Sequence, residues 1–178
     1  MSIFKKKKEE YAEPINFPII MDTGAPDPRV ICNGHKTFVI FYVRDDFNPF
    51  TQEPASETMQ LSPENKEERI PEAFVLVKFN HCLIHKFGTP NDEVLNGHRL
   101  RKKGLSFYSW HKVHNSSWIE EIKNVNRVHP KFSEKHWLNL NHYIITFHNE
   151  TFECVAESYE LITIDTLENL LTQTLKII

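Results

Sequence analysis

Residues 142–156 read HYIITFHNETFECVA, and this stretch predicts a β-hairpin with its turn at Asn149-Glu150. Successive side chains of a strand point to opposite faces of a sheet, so a two-residue turn divides the stretch into two sets. One set is apolar: Tyr143, Ile145, Phe147, Phe152, Cys154 and Ala156. The other is mostly polar: His142, Ile144, Thr146, His148, Thr151, Glu153, Val155 and Glu157. We therefore expect Cys154 in the core, where a thiol keeps its proton and does not act as a nucleophile.

The polar face of this hairpin carries the first candidate site. With a two-residue turn, His148 and Glu153 are diagonal neighbours whose side chains can reach each other. A carboxylate beside an imidazole fixes its tautomer and raises its basicity, as a general base or a metal ligand requires. A solvated sheet face with a cross-strand ion pair is the alternative interpretation, and a four-residue turn would change the pairing.

Helices are predicted on both sides of the hairpin. The sequence Ser117-Trp118-Ile119-Glu120 matches the capping box, in which a hydroxyl and a carboxylate bind the first free amides of a helix. Its buried stripe is predicted at Trp118, Ile122, Val125 and His129. Pro130 ends this helix, a short second helix follows over Ser133–Leu140, and a terminal helix covers Asp165–Ile178.

Strands are predicted earlier in the chain. Arg29–Cys32 and Lys36–Arg44 are joined at Asn33-Gly34, a strong hairpin signal, and the second strand is apolar on both faces, as in the middle of a sheet. Two further strand regions are Ala73–Lys86 and Ser106–His114. This order of elements predicts an α+β fold with a mainly antiparallel sheet, one well-capped central helix, a short second helix, a C-terminal β-hairpin and a terminal helix.

The domain organisation follows from changes in composition. Residues 1–28 hold four prolines and are interpreted as an extended N-terminal segment with a charged tail. Residues 29–178 are predicted to form a single α+β domain. Within it, residues 45–72 carry eight acidic side chains and four prolines, which is typical of a mobile acidic excursion.

Composition and charge exclude several classes of protein. The 178 residues carry a net charge of −3, which argues against a general nucleic-acid binder. No apolar run approaches the roughly 20 residues of a membrane span. Three scattered cysteines and the lack of an export signal favour a cytoplasmic protein with reduced thiols. The common nucleotide-binding, hydrolase and zinc motifs are missing, so no cofactor or metal is identified.

A polar loop at residues 87–98 carries the second candidate site. Its donors and acceptors are Asn91, Asp92, Glu93, Asn96 and His98. These groups can bind a cation or a polar ligand, and the basic cluster that begins at Arg99 can bind an anion. Asn and Asp also favour tight turns for local reasons, so a solvated basic turn is the alternative interpretation.

The third candidate site is His114-Asn115-Ser116, immediately before the predicted central helix. The free amides at the start of a helix attract anions. Ser117 and Glu120 are expected to use part of that capacity. The alternative is that these three residues only turn the chain.

Four stretches together resemble a group of small uncharacterised bacterial proteins. They are Lys86–Glu93 running to Gly97-His98, Asn115–Ile119, Asn126–Pro130, and His142–His148 continuing through Thr151–Ala156. The resemblance covers roughly residues 24–160 and implies no activity. Arg99 stands where the group leads us to expect a proline after Gly-His.

Three functions are compatible with this reading. The first is a domain that binds a small polar or anionic molecule through the Asn91–His98 loop, the His114–Ser116 turn and the hairpin face. The second is a hydrolase in which His148 or His98 acts as general base, oriented by Glu153 or Asp92, with a possible metal ion. The third is a protein–protein interaction module that uses residues 45–72.

Overall fold

The computed structural model describes residues 8–34, 36–43 and 74–164. The predicted terminal helix and the acidic excursion at 45–72 lie outside the described residues. What is described divides into two compact units, a five-stranded unit (residues 8–16 and 81–158) and a four-stranded unit (the remaining described residues). The boundary expected at residue 28 stays a prediction. No helix in these ranges is long and apolar enough to cross a membrane.

Among the described residues, two sheets and one α-helix make this an α+β fold, as predicted. The elements are β1 (Tyr11–Pro14), β2 (Arg29–Cys32), β3 (Lys36–Tyr42), β4 (Phe74–Asn80), β5 (Ile84–Gly88), β6 (Trp110–His114), α1 (Ser117–Asn126), β7 (Asn141–Thr146), β8 (Thr151–Ala156) and β9 (Ser158–Ile164). Short 3-10 turns cover Leu95–Gly97, Arg101–Lys103 and Glu134–Trp137.

The five-stranded sheet has the order β1-β6-β7-β8-β5 and is antiparallel throughout. Its middle strands β7 and β8 are buried on both faces. Their apolar side chains alternate with histidine, threonine and glutamate side chains, which can be buried because they form hydrogen bonds within the protein. Cys154 is completely buried, as expected, and burial raises the pKa of its thiol well above the ordinary value. A nucleophilic role for this cysteine has no support.

The hairpin register differs from the predicted one by two residues. Ile144 pairs with Glu153 and Thr146 with Thr151, so the turn has four residues, Phe147–Glu150, rather than two. The Phe147 amide donates to the Glu150 carbonyl at 2.8 Å and closes this wider turn. A shift of two keeps every side chain on its predicted face, but the predicted contact between His148 and Glu153 is wrong.

The central helix also starts differently from the prediction. Its N-cap is Ser116, whose Oγ accepts a hydrogen bond from the Ile119 amide at 3.2 Å, so the capping box at Ser117 is wrong. The helix ends at Asn126, and the predicted stripe is buried only at its start: Trp118 is 6% exposed, whereas Val125 is 69% exposed. His129 is exposed beyond the helix end.

The second helix expected over Ser133–Leu140 is reduced to the 3-10 turn Glu134–Trp137. Leu138, expected on its buried face, is 79% exposed. A turn this short fixes few backbone hydrogen bonds and presents no continuous apolar face, so only part of the segment packs.

The four-stranded sheet has the order β2-β3-β4-β9. As predicted, β2 and β3 form a hairpin and β3 lies inside the sheet, with a core built on Phe38, Ile40 and Leu76. The strand region predicted at Ala73–Lys86 is divided: β4 belongs to this sheet and β5 to the other.

Candidate functional site

The predicted site residues fall into three groups, all within the five-stranded unit. His148 contacts Asp92, and Glu153 contacts His98. The other polar predicted residues that make contacts, Arg99, His114, Asn115 and Ser116, surround the start of α1. Asn91 is half-buried and Glu93 is exposed, and the structure shows no hydrogen bond between either side chain and another described side chain.

The first group is the exposed pair, His148 and Asp92. His148 Nδ1 lies 2.7 Å from Asp92 Oδ2, and the Asp92 amide donates to the His148 carbonyl at 3.0 Å. The His148 side chain is 41% exposed, whereas that of Asp92 is 15% exposed. A carboxylate on Nδ1 keeps the proton there, so Nε2 is the basic nitrogen of the neutral ring.

Tyr108 completes the exposed pair, and the sequence did not single it out. Its hydroxyl donates to Asp92 Oδ2 and lies 3.4 Å from His148 Nδ1. The hydrogen bond from Tyr108, with that from His148, lowers the pKa of Asp92 against the opposing effect of burial, and the same contact raises the pKa of Tyr108. Tyr108 has a φ of 48°, which bulky residues rarely adopt.

The second group is the buried relay, a chain of hydrogen bonds through Ser116, His142, Glu153 and His98. Ser116 Oγ lies 2.9 Å from His142 Nδ1, and His142 Nε2 lies 3.0 Å from Glu153 Oε2. The other carboxylate oxygen, Oε1, is 3.4 Å from His98 Nε2. His142 is completely buried, and Ser116 and Glu153 are 5% and 8% exposed.

The hydrogen-bond partners fix the protons of the relay. The Leu100 amide donates to His98 Nδ1 at 3.2 Å, so the Nε2 of neutral His98 donates to Glu153. Burial alone would raise the pKa of Glu153, but the hydrogen bonds from His142 and His98 outweigh it and hold that pKa well below its usual range. Burial lowers the pKa of His142 despite Glu153, so His142 is neutral at pH 7. Its Nε2–H therefore faces Glu153, and its basic Nδ1 faces the Ser116 hydroxyl.

Trp118 and Lys86 enclose the buried relay. The edge of the Trp118 ring meets His142 with centroids 5.1 Å apart. Lys86 stands opposite Glu153 in the sheet, and its ammonium lies 4.0 Å from the centre of the Trp118 ring. A cation over an aromatic face is attractive, so Lys86 helps to hold Trp118 against His142.

The third group is covered by the N-terminal strap, which we define as Glu9, Glu10 and Glu13. Glu10 binds the helix start, since its carboxylate accepts the Ser117 amide at 2.7 Å and pairs with Arg99. Burial alone would raise the pKa of Glu10, but the hydrogen bonds from Arg99 and Ser117 lower it overall.

The other two strap residues reach the predicted turn. Glu13 pairs with His114, and the carbonyl of Glu9 accepts the Asn115 side-chain amide at 2.8 Å. The anion capacity expected at this turn is therefore used in part by the chain's own carboxylates rather than by Ser117 and Glu120.

A cavity of about 540 Å³ opens beside the strap, and we call it the α1 cavity. Its lining residues are Lys8, Lys112, Val113, His114, Asn115, Ser116, Ile119, Glu120, Leu140 and Asn141. Three of these, His114, Asn115 and Ser116, are predicted ligand-binding residues. Ser116 thus lines the cavity and is also the first member of the buried relay.

His111, on β6, is a further buried histidine. Its Nε2 accepts the Ser106 amide at 3.1 Å, while its Nδ1 has no partner among the residues that the structure describes. Burial lowers the pKa of His111 to about 4. His111 is therefore neutral at pH 7.

A larger cavity of about 740 Å³ contains none of the predicted site residues. Its lining includes His81, His129, His136 and Trp137. Within the described ranges, no group of three or more His, Cys, Asp or Glu side chains is arranged to hold a metal ion.

Sequence reasoning missed His142, the central member of the buried relay. It shares a face with Glu153, and that parity was visible, but the assumed turn placed it opposite Glu157. No family model, curated protein or solved structure matches this chain. The likeness to a group of small bacterial proteins stays a prediction.

Proposed function

We propose that the five-stranded unit binds a small anionic ligand in the α1 cavity. The observation that carries this proposal is the charge of the lining, in which two lysines, Lys8 and Lys112, stand against one carboxylate, Glu120. Cationic side chains grouped around a concave surface raise the local concentration of anions and bind them directly.

The strap supports the same ligand chemistry. The carboxylates of Glu10 and Glu13 form hydrogen bonds with groups next to the cavity, namely the Ser117 amide and the His114 ring. Donors that hold carboxylates within the chain have the geometry to hold a carboxylate or phosphate from solution. The volume of about 540 Å³ lies in the range of pockets for small molecules.

The test is a titration of the full chain with inorganic phosphate, followed by calorimetry and by thermal unfolding. Lys112→Gln should weaken phosphate binding about tenfold, because a charge-assisted contact contributes roughly 1.4 kcal/mol. Lys102→Gln is the matched control, since Lys102 is an exposed lysine outside the cavity lining. Equal phosphate affinity for the wild type and Lys112→Gln would contradict the proposal.

The exposed pair supports a second candidate, acid–base catalysis by His148 in a hydrolase. The observation that favours it is the 2.7 Å contact with Asp92 on a ring that is 41% exposed. A carboxylate-held imidazole is more nucleophilic, so diethyl pyrocarbonate should modify His148 faster in the wild type than in Asp92→Asn. An unchanged rate in that variant would remove this candidate.

A further inference from the structure

We propose that Ser116, His142 and Glu153 form a catalytic triad that hydrolyses an ester of a small acid. The proposal rests on the proposed function, because the substrate would reach Ser116 through the α1 cavity. It gives the anionic ligand an identity, the acid released by the reaction.

The geometry is that of a serine nucleophile with its base and orienting carboxylate. Ser116 Oγ is 2.9 Å from His142 Nδ1, and His142 Nε2 is 3.0 Å from Glu153 Oε2. Triads are recognised by these roles rather than by position in the chain, and either ring nitrogen is basic when the other holds the proton. Here Glu153 fixes the proton on Nε2, which leaves Nδ1 to receive the proton of Ser116.

The hydrogen bond that caps α1 orients the Ser116 hydroxyl. Ser116 Oγ accepts the Ile119 amide at 3.2 Å with one of its two lone pairs, so its hydrogen is available for His142 and its second lone pair for the attack. The same amide, at the positive end of α1, stabilises negative charge as it grows on Oγ. Burial of His142 and Glu153 keeps water from weakening these interactions.

The strap occupies the place where the oxyanion would be stabilised. In serine hydrolases with a nucleophile at a helix start, the amide of the next residue binds the oxyanion. The next residue here is Ser117, whose amide donates to Glu10 Oε1 at 2.7 Å, and Arg99 binds the same carboxylate. Glu10 thus holds the oxyanion donors until a substrate displaces it.

The reaction balances with water as the only co-reactant. Ser116 Oγ attacks the ester carbonyl carbon while its proton moves to His142 Nδ1, and Glu153 stabilises the imidazolium. The carbon–oxygen bond to the alcohol breaks, and the leaving oxygen takes the proton from His142. Water then attacks the acyl-serine with His142 as base, which releases the acid and restores Ser116.

The experiment treats the folded full chain with an alkyl fluorophosphonate and maps the adduct by peptide mass spectrometry. Ser116 attacks phosphorus, fluoride leaves, and the adduct reports the activated hydroxyl without requiring the natural ester. We expect one adduct, on Ser116, and none in urea. Glu10→Gln should label about tenfold faster because the donors are released, and Lys102→Gln should label as the wild type does.

Two further readouts separate catalysis from a structural role of the relay. The labelling rate of the wild type should fall as acid protonates His142, because a protonated ring cannot accept the Ser116 proton. Glu153→Gln, checked for folding by near-ultraviolet circular dichroism, should label at least tenfold more slowly. If Glu153→Gln unfolds, the triad is still tested by the pH dependence of the wild-type labelling rate and by the labelling rate of Glu10→Gln.

No adduct on Ser116 in either folded wild type or Glu10→Gln would overturn the triad. An adduct whose rate is unaffected by pH would also overturn it, because His142 would then not be the base. Phosphate binding separates the two proposals: labelling without phosphate binding upholds the triad and contradicts the ligand proposal, and the reverse result contradicts the triad alone.

Discussion

Two of the histidine–carboxylate contacts in the five-stranded unit have nearly equal lengths but lie in opposite surroundings. The exposed pair joins His148 to Asp92 at 2.7 Å, and the buried relay joins His142 to Glu153 at 3.0 Å. The His148 side chain is 41% exposed, whereas that of His142 is fully buried. The two surroundings therefore give the loss of a histidine different costs. Water replaces a lost partner of Asp92 at the surface, but loss of His142 would leave the Glu153 carboxylate without compensation inside the protein.

The causes of the pKa shifts differ in the same way. Asp92 owes its lowered pKa first to the hydrogen bond from Tyr108. For Glu153, burial is the largest influence and acts in the opposite direction, so two histidines are needed to overcome it.

The largest effect is expected from Glu153→Gln. Replacing this carboxylate removes two charge-assisted hydrogen bonds, from His142 and from His98, which should lower the free energy of unfolding by about 3–5 kcal/mol in total. Urea denaturation at pH 7 measures it. Asp92→Asn is the matched control in the exposed pair and should cost clearly less, and equal losses would erase the distinction between the two contacts.

Gly104→Ala should disturb the packing of the turn Arg101–Gly104 against β1. Gly104 has a φ of +99°, and a Cβ there would lie 2.1 Å from the Ala12 carbonyl oxygen in β1. We expect a loss of about 2–4 kcal/mol from backbone strain and steric overlap. Gly97→Ala is the control, since a Cβ at Gly97 meets nothing within 4 Å. Similar melting temperatures for both variants would contradict this packing.

The pH dependence of stability should report the buried histidines. The pKa of His111 is about 4 in the folded chain and roughly 6.5 when unfolded, so its contribution is complete above about pH 6.5 and is lost as the pH falls towards 4. The expected loss is up to about 3 kcal/mol, and the lowered pKa of His142 acts in the same direction. Urea curves at pH 7.5 and 4.5 test this.

His111→Gln should remove its share of that pH dependence. Because the Ser106 amide donates to His111, glutamine can keep an acceptor there while losing the titrating ring. An unchanged difference between the two pH values would show that the pKa of His111 is the same in the folded and unfolded chains.

The smallest effect is expected from His148→Gln. An exposed side chain outside the core should change stability by no more than about 0.5 kcal/mol. The same denaturation assay measures this, and reaction with diethyl pyrocarbonate should lose its fast phase. A large loss of stability would mean that the exposed pair supports the fold as the buried relay does.

The fold could be predicted from alternation and turn signals because these are local. The faces of residues 142–156, the burial of Cys154 and the interior position of β3 all follow from side-chain periodicity. The register of β7 and β8 does not follow from periodicity, because two- and four-residue turns give the same faces. The structure has the four-residue turn, in which Phe147 is no longer paired with a residue of β8. The predicted apolar stripe of α1 was wrong at its C-terminal end, because Val125 is exposed in the part of the chain that the structure describes.

The candidate site was predicted in composition but not in pairing. Glu153, His148, His98 and Asp92 were all predicted as site residues, and two contacts join them. Each histidine, however, pairs with the carboxylate that lies far from it in the sequence: His98 with Glu153, and His148 with Asp92. Glu10 binds Ser117 across 107 positions of sequence, a separation that no local pattern encodes.

The strand β1 also protects the sheet from self-association. An edge strand offers unpaired amides and carbonyls to other chains. β1 covers that edge of β6 with only four residues, and Pro14 at its end has no amide hydrogen to donate. The outer edge is therefore short and is flanked by glutamates, which disfavour pairing with a second copy. The same segment that brings Glu10 to the helix start thus also makes this edge of the sheet a poor template for another strand.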